Sequence, residues 1–86
     1  MEDLKSIIAE NITALRKGSS MTQIELAEKL NYSDKAISKW ERGESVPDIT
    51  VLKTIADMFG VTVDYLLVRE HISEDQELSE EEILKH

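Results

Sequence analysis

The chain has 86 residues, which is enough for one small hydrophobic core but not for two independent ones. It contains no cysteine, which excludes disulfide bonds, thiolate zinc sites and cysteine nucleophiles. The formal net charge is −8, but the last 19 residues alone hold seven acidic residues against two basic ones, so the total says little about any single face of the folded part.

Apolar residues with helical spacing predict a first helix that ends near Gly18. Its predicted inner stripe consists of Leu4, Ile8, Ile12 and Leu15, with Ile7 beside it. No apolar stretch approaches the roughly 18 residues of a membrane span, and the acidic start does not resemble a signal peptide. We therefore expect a soluble, cytoplasmic chain without a membrane partner.

A second helix is predicted from Thr22, because Thr22 and Glu25 have the spacing of a capping box ahead of an apolar run. Asn31 is predicted to end it, since asparagine tolerates the left-handed backbone conformation that often closes a helix. The predicted inner face consists of Ile24, Ala27 and Leu30, with Leu26 on the flank.

A third helix is predicted from Ser33, its N-cap, to about Arg42, with Gly43 as the stop. Ile37 and Trp40 are predicted to face inward. The outer side is unusually polar and holds Asp34, Lys35, Ser38 and Lys39.

A fourth helix is predicted between the cap Asp48 and Gly60, and a fifth, short one over residues 62–67. The predicted inner residues of the fourth helix are Ile49, Leu52, Ile55, Ala56 and Phe59. The expected fold is an all-α, compact five-helix bundle over residues 1–68, with residues 69–86 as an acidic tail.

Residues 69–86 permit two interpretations. Their charge favours a frayed tail, while the capping-box spacings at Ser73 and Ser79 favour an amphipathic helix that packs on a partner subunit or on a downstream region. A metal site from His71, Glu74 and Asp75 is disfavoured because no second histidine lies nearby. We expect no cofactor, no metal and, without a catalytic motif, no enzymatic activity.

Residues 23–42 meet the three requirements of a helix-turn-helix. Ala27 is a small residue where the second helix crosses the first, and Asn31 is a turn residue that accepts the left-handed conformation. Ile37 and Trp40 supply the apolar inner side of the second helix of the motif.

The stretch from Ile8 to Leu67 resembles the lambda-repressor-like (Cro/C1, XRE-type) DNA-binding domain in the strings MTQIELAEKL, AISKWERGES and PDITVLKTIADMFGVTVDYLL. The resemblance implies that helix 33–42 enters the major groove while the preceding helix crosses the backbone. The base contacts that it implies are Asp34, Lys35, Ser38 and Lys39, and the implied backbone contacts are Thr22, Gln23, Ser33, Arg42 and Gly43. It also implies a structural ion pair between Arg16 and Glu41.

The expected function is sequence-specific binding of double-stranded DNA by a transcriptional regulator, in the first instance a repressor that occupies an operator. Asp34 and Glu44 disfavour DNA binding, because both would carry negative charge near the phosphates. Residues 32–44 as a whole have no net charge. A homodimer on two half-sites would double the contacts. The alternatives are a protein-interaction module, and an antitoxin-type regulator whose residues 69–86 bind a protein partner.

Overall fold

The computed structural model describes residues 3–68, which form five α-helices. They are α1 (Leu4–Gly18), α2 (Gln23–Leu30), α3 (Asp34–Glu41), α4 (Ile49–Phe59) and α5 (Val63–Leu67). Residues 3–68 contain no β-strand, so the predicted all-α five-helix bundle is confirmed. The predictions for residues 69–86, including the disfavoured metal site, lie outside the described residues.

Each helix begins after a polar residue whose side chain accepts a hydrogen bond from an amide of the first turn. These caps are Asp3, Thr22, Ser33, Asp48 and Thr62. At α2 the predicted capping box is confirmed: the Glu25 amide donates to Thr22 Oγ1 at 3.0 Å, and the Thr22 amide donates to Glu25 Oε1 at 2.8 Å. Thr62 caps α5 from outside the helix, so α5 begins one residue later than predicted.

Four of the five helices are followed, within two residues, by a residue with left-handed backbone, which lets the chain reverse over a short turn. These residues are Ser20 (φ 55°), Asn31 (63°), Gly43 (75°) and Gly60 (71°). In each case the next residue's amide donates to a carbonyl five residues earlier in the chain, as Tyr32 does to Ala27 at 2.9 Å. After α1 the left-handed residue is Ser20 and not Gly18, which is the last residue of the helix, although glycine adopts this conformation more readily.

The core lies between α1, α2, α3, α4 and α5 and is almost wholly aliphatic. Its buried members are Ile8, Ile12, Leu26, Ala27, Leu30, Ile37, Trp40, Val51, Leu52, Ile55, Ala56 and Leu66. At about 1.5–3 kcal/mol for each fully buried large side chain, this cluster is the main stabilising contribution to the fold.

Three residues predicted to face the core are exposed: Leu4 (52%), Ile24 (58%) and Ile49 (66%). Leu4 and Ile49 are the first residues of their helices, where a neighbouring helix does not yet cover the stripe. The inner face of α2 is the helical set i, i+3, i+4, i+7 that begins at Gln23, and Ile24 lies to one side of it. Leu26, predicted on the flank, is completely buried.

Candidate nucleic-acid interface

Helices α2 and α3 form a helix-turn-helix around a tight turn. Asn31 adopts the left-handed conformation there (φ 63°, ψ 40°), and Ala27 is buried where the helices meet. Ile37 and Trp40 are buried on the inner side of α3, and the ring of Tyr32 packs on Trp40 with centroids 5.3 Å apart. The three predicted requirements are therefore met by this segment.

The opposite side of α3 presents polar side chains to solvent. Asp34, Lys35 and Lys39 are exposed, and Ser38 is partly buried. Lys35 and Lys39 lie one helical turn apart, and neither forms an ion pair with any residue from 3 to 68. Two ammonium groups are thus free to donate to an anion or to the acceptor edge of a base.

At the N-terminus of α2, the two predicted phosphate contacts Thr22 and Gln23 are hydrogen-bonded to other residues of the chain. The backbone amide and the hydroxyl oxygen of Thr22 both take part in the capping box, although the hydroxyl proton of Thr22 remains available as a donor. Gln23 Nε2 donates to Glu41 Oε1 at 2.9 Å, which leaves its second N–H for another acceptor.

At the two ends of α3, the predicted phosphate contacts Ser33 and Gly43 are also hydrogen-bonded within the chain. Ser33 Oγ accepts the Ala36 amide at 3.2 Å, which again leaves the hydroxyl proton. The amide of Gly43 donates to the Trp40 carbonyl at 3.1 Å, so this predicted phosphate donor has a partner within the chain.

A nearly buried ion pair fixes α3 against α1 and α2. Arg16 donates to Glu41 twice, from Nε to Oε2 at 2.7 Å and from Nη2 to Oε1 at 3.0 Å, and the side chains are only 12% and 7% exposed. Arg16 also donates to the Met21 carbonyl at 2.8 Å. With Gln23 on the same carboxylate, these bonds join α1, the α1–α2 loop, α2 and α3. The ion pair expected from the resemblance is present, and it connects α3 to α1.

A second arginine–glutamate pair lies at the exposed end of α3. Arg42 Nε donates to Glu44 Oε2 at 2.7 Å and Nη2 donates to Oε1 at 3.2 Å, while Nη1 donates to the Ser38 hydroxyl. The hydrogen bonds from Arg42 hold the pKa of the Glu44 carboxyl below its ordinary value, and Lys39 adds a weaker attraction. The same bonds raise the pKa of Arg42.

The sequence predictions placed Glu44 near the phosphates but missed its pairing with Arg42. Residues two apart do not meet on a helix, and here they meet because Gly43 turns the chain back at the end of α3. The feature of the sequence that bears on this pair is the glycine between Arg42 and Glu44.

The described part of the chain provides neither a metal site nor a membrane-spanning helix. Between residues 3 and 68, no group of three acidic or histidine side chains is close enough to hold a metal ion. None of the helices in that range is both long enough and apolar enough to cross a bilayer.

Comparison with known proteins agrees with this geometry. The family model described as helix-turn-helix matches residues 12–66. The chain is 46% identical over 63 residues to the HTH-type transcriptional activator BcrR of Enterococcus faecalis, an alignment that covers 73% of this chain and 31% of BcrR. It is 34% identical over 71 residues to the cryptic phage CTXphi transcriptional repressor RstR of Vibrio cholerae, over 83% of this chain and 63% of RstR. The chain thus spans less than two thirds of either relative.

A solved structure shares the arrangement of the helices. The hypothetical transcription factor NHTF from Neisseria superposes with a TM-score of 0.73 at 25% sequence identity, over 83% of this chain and 84% of that one. The family match covers more than half of the chain and includes α2, α3 and the turn between them. The chain therefore belongs to the helix-turn-helix family of the lambda-repressor-like (Cro/C1, XRE-type) kind, whose matching members are named as transcriptional regulators.

Proposed function

We propose that this chain binds a double-stranded DNA operator in a sequence-specific manner through α3 and thereby regulates transcription. The observation that carries the proposal is the exposed side of α3, where Lys35 and Lys39 lie one turn apart without an ion pair among residues 3–68. An α-helix with its side chains is about 10–12 Å in diameter, and the major groove, about 12 Å wide, admits it.

The proposed division of roles follows from position. Asp34, Lys35, Ser38 and Lys39 face the bases, where lysine donates to guanine and aspartate accepts from cytosine. The backbone contacts are Thr22, Gln23, Ser33, Arg42 and Gly43, at the two ends of the motif. To fulfil this role Arg42 must exchange Glu44 for a phosphate. The Gly43 amide must likewise share its proton between the Trp40 carbonyl and a phosphate.

We propose that the DNA-bound form is a homodimer. Residues 32–44 carry three basic and three acidic side chains, so one domain neutralises few phosphates and binds weakly at physiological salt. Two domains on half-sites about one helical turn apart, ~34 Å, would double the phosphate contacts. The relatives include a named activator and a named repressor, and repression by occupation of the operator is the mode we propose.

Selection of bound duplexes from a randomised pool tests this function. We expect enrichment of a sequence with two related half-sites, and a log–log salt slope of several units in subsequent binding titrations. Failure of every duplex to bind at low salt would instead favour a protein-interaction module or a regulator that acts through a protein partner.

Alanine substitutions at Lys39 and Arg42 should affect DNA binding differently. Lys39→Ala should change which bases are preferred, with a loss of about 1–3 kcal/mol at the contacted position, because a base donor is removed. Arg42→Ala should weaken all duplexes alike and reduce the salt slope by about one unit. Fluorescence anisotropy on the selected duplex and its single-base variants measures both effects.

Lys53→Ala is the matched control for these variants, because it removes a lysine charge from α4 rather than from α3. It should leave the order of preferred sequences unchanged. An equal loss on every sequence for both Lys39→Ala and Arg42→Ala would contradict the division of roles.

We also propose that residues 1–68 are the DNA-binding domain and that residues 69–86 serve oligomerisation or a partner. Within residues 3–68 the core cluster runs from Ile8 to Leu66, so a chain that ends at Val68 should keep its helical circular dichroism and a cooperative melting transition. Loss of that transition would show that the later residues belong to the core. We propose a cytoplasmic, non-enzymatic role, in keeping with relatives that are named as regulators.

A further inference from the structure

We propose that Glu44 competes with the DNA backbone for Arg42 and so limits the affinity of this chain for duplexes of any sequence. The inference rests on the proposed function, since it concerns how tightly α3 is held on DNA. It assigns a role in binding to an acidic residue that makes no favourable contact with a phosphate.

The competition arises because carboxylate and phosphate bind the same edge of a guanidinium group. Arg42 uses Nε and Nη2 to hold both oxygens of Glu44, at 2.7 and 3.2 Å. This two-bond arrangement is also the one by which arginine binds a phosphate. In the free chain Glu44 therefore occupies the edge that a phosphate requires, while Ser38 accepts from Nη1.

The backbone places the competitor next to Arg42. Gly43 is left-handed (φ 75°), and the Glu44 amide donates to the Lys39 carbonyl at 3.0 Å, which turns Glu44 back onto the last turn of α3. Because this turn is part of the helix end, little additional ordering is needed to form the pair.

The pair is also weak enough to be displaced. Both side chains are 53% exposed, and ion pairs in that setting contribute little because solvent and salt screen them. A phosphate that binds Arg42 must first displace Glu44, and the loss of this pair is the penalty on DNA binding. Since backbone contacts are the same for every sequence, the penalty falls on all duplexes alike, and the base-facing side chains keep the task of discrimination.

Glu44→Gln tests this role, because glutamine has the same size but no charge. On a fluorescent duplex of mixed sequence, titrated from about 50 to about 200 mM salt, the variant should bind about 2- to 5-fold more tightly than the wild type, the range that an exposed ion pair can contribute. Asp57→Asn is the matched control: it removes one acid from the exposed Lys53–Asp57 pair on α4 and should change affinity by less than about two-fold.

A second background separates competition from general repulsion. In Arg42→Ala, the gain from Glu44→Gln should disappear, because there is no guanidinium left to release. A gain that persists in that background, or a Glu44→Gln variant that binds like the wild type, would overturn the inference alone. Absence of duplex binding by both the wild type and Glu44→Gln would overturn the proposed function, and this inference with it.

Discussion

Replacement of Glu41 by alanine should lower the free energy of unfolding by about 3–5 kcal/mol, because it leaves a nearly buried guanidinium without its partner. Arg16 is only 12% exposed and gives two hydrogen bonds to Glu41. A domain of this size has a total stability of roughly 0.05–0.15 kcal/mol per residue, so this loss is a large fraction of the total.

The loss of stability should be larger than for an ordinary ion pair, because the Glu41 carboxylate accepts hydrogen bonds from three donor groups. The third is Gln23, at 2.9 Å, so the substitution also releases the N-terminus of α2. The orientation of α3 relative to α1 and α2 depends on the same carboxylate. Urea denaturation followed by circular dichroism measures the loss, and Glu41→Gln, which keeps an acceptor oxygen but not the charge, should show a smaller one.

Glu44→Ala provides the matched control for this prediction. It also removes a glutamate that binds an arginine through two hydrogen bonds, but from a pair that is half exposed. Its urea midpoint should stay close to that of the wild type. Equal midpoints for Glu41→Ala and Glu44→Ala would contradict the structural role of the Arg16–Glu41 pair.

The local features of this fold could be predicted from the sequence because each is specified by residues close together in the chain. The Thr22–Glu25 capping box, the left-handed Asn31 and the cap Ser33 all depend on neighbours within four residues. Packing could be predicted less well. Periodicity gives the direction of a side chain but not what covers it, which is why Ile49 is exposed although its direction is inward. Ile24 is exposed for another reason: the inner face of α2 begins at Gln23, one residue away from the predicted register.

In the candidate site too, features that depend on nearby residues could be predicted, whereas contacts between residues far apart in the sequence could not be predicted from the pattern alone. The exposed positions of Lys35 and Lys39 follow from the helical spacing of Ile37 and Trp40 on the opposite side. The Arg16–Glu41 contact was expected only from the resemblance, since the two residues are 25 positions apart. The partner of Asn11 could not be predicted at all, because backbone carbonyls more than 50 residues away leave no mark in the side-chain pattern.

Asn11 closes α5 from a distant helix. It is 1% exposed, and its Nδ2 donates to the carbonyls of Tyr65 at 3.2 Å, Leu66 at 2.9 Å and Val68 at 2.9 Å. The last four carbonyls of any helix lack partners within it, and α5 has only five residues. The side chain of Asn11 thus supplies the donors that this short helix cannot provide for itself.

Asn11→Asp should therefore cost at least about 3 kcal/mol of unfolding free energy at neutral pH, although the two side chains have nearly the same shape. A carboxylate cannot donate, and it would face three carbonyl oxygens at the negative end of a helix. Asn31→Asp is the matched control, because Asn31 is exposed and aspartate tolerates the left-handed conformation. Its urea midpoint should change little.

The loss in Asn11→Asp should also depend on pH with a definite sign. A protonated carboxyl can donate one hydrogen bond to these carbonyls, so folding should raise the pKa of the new group above its value in the unfolded chain. The difference in stability from the wild type should then be smallest below the unfolded pKa and should grow as the pH rises through the raised folded pKa. A difference that is constant between about pH 4 and pH 7, or one no larger than that of Asn31→Asp, would contradict the view that donated hydrogen bonds from Asn11 hold α5 in place.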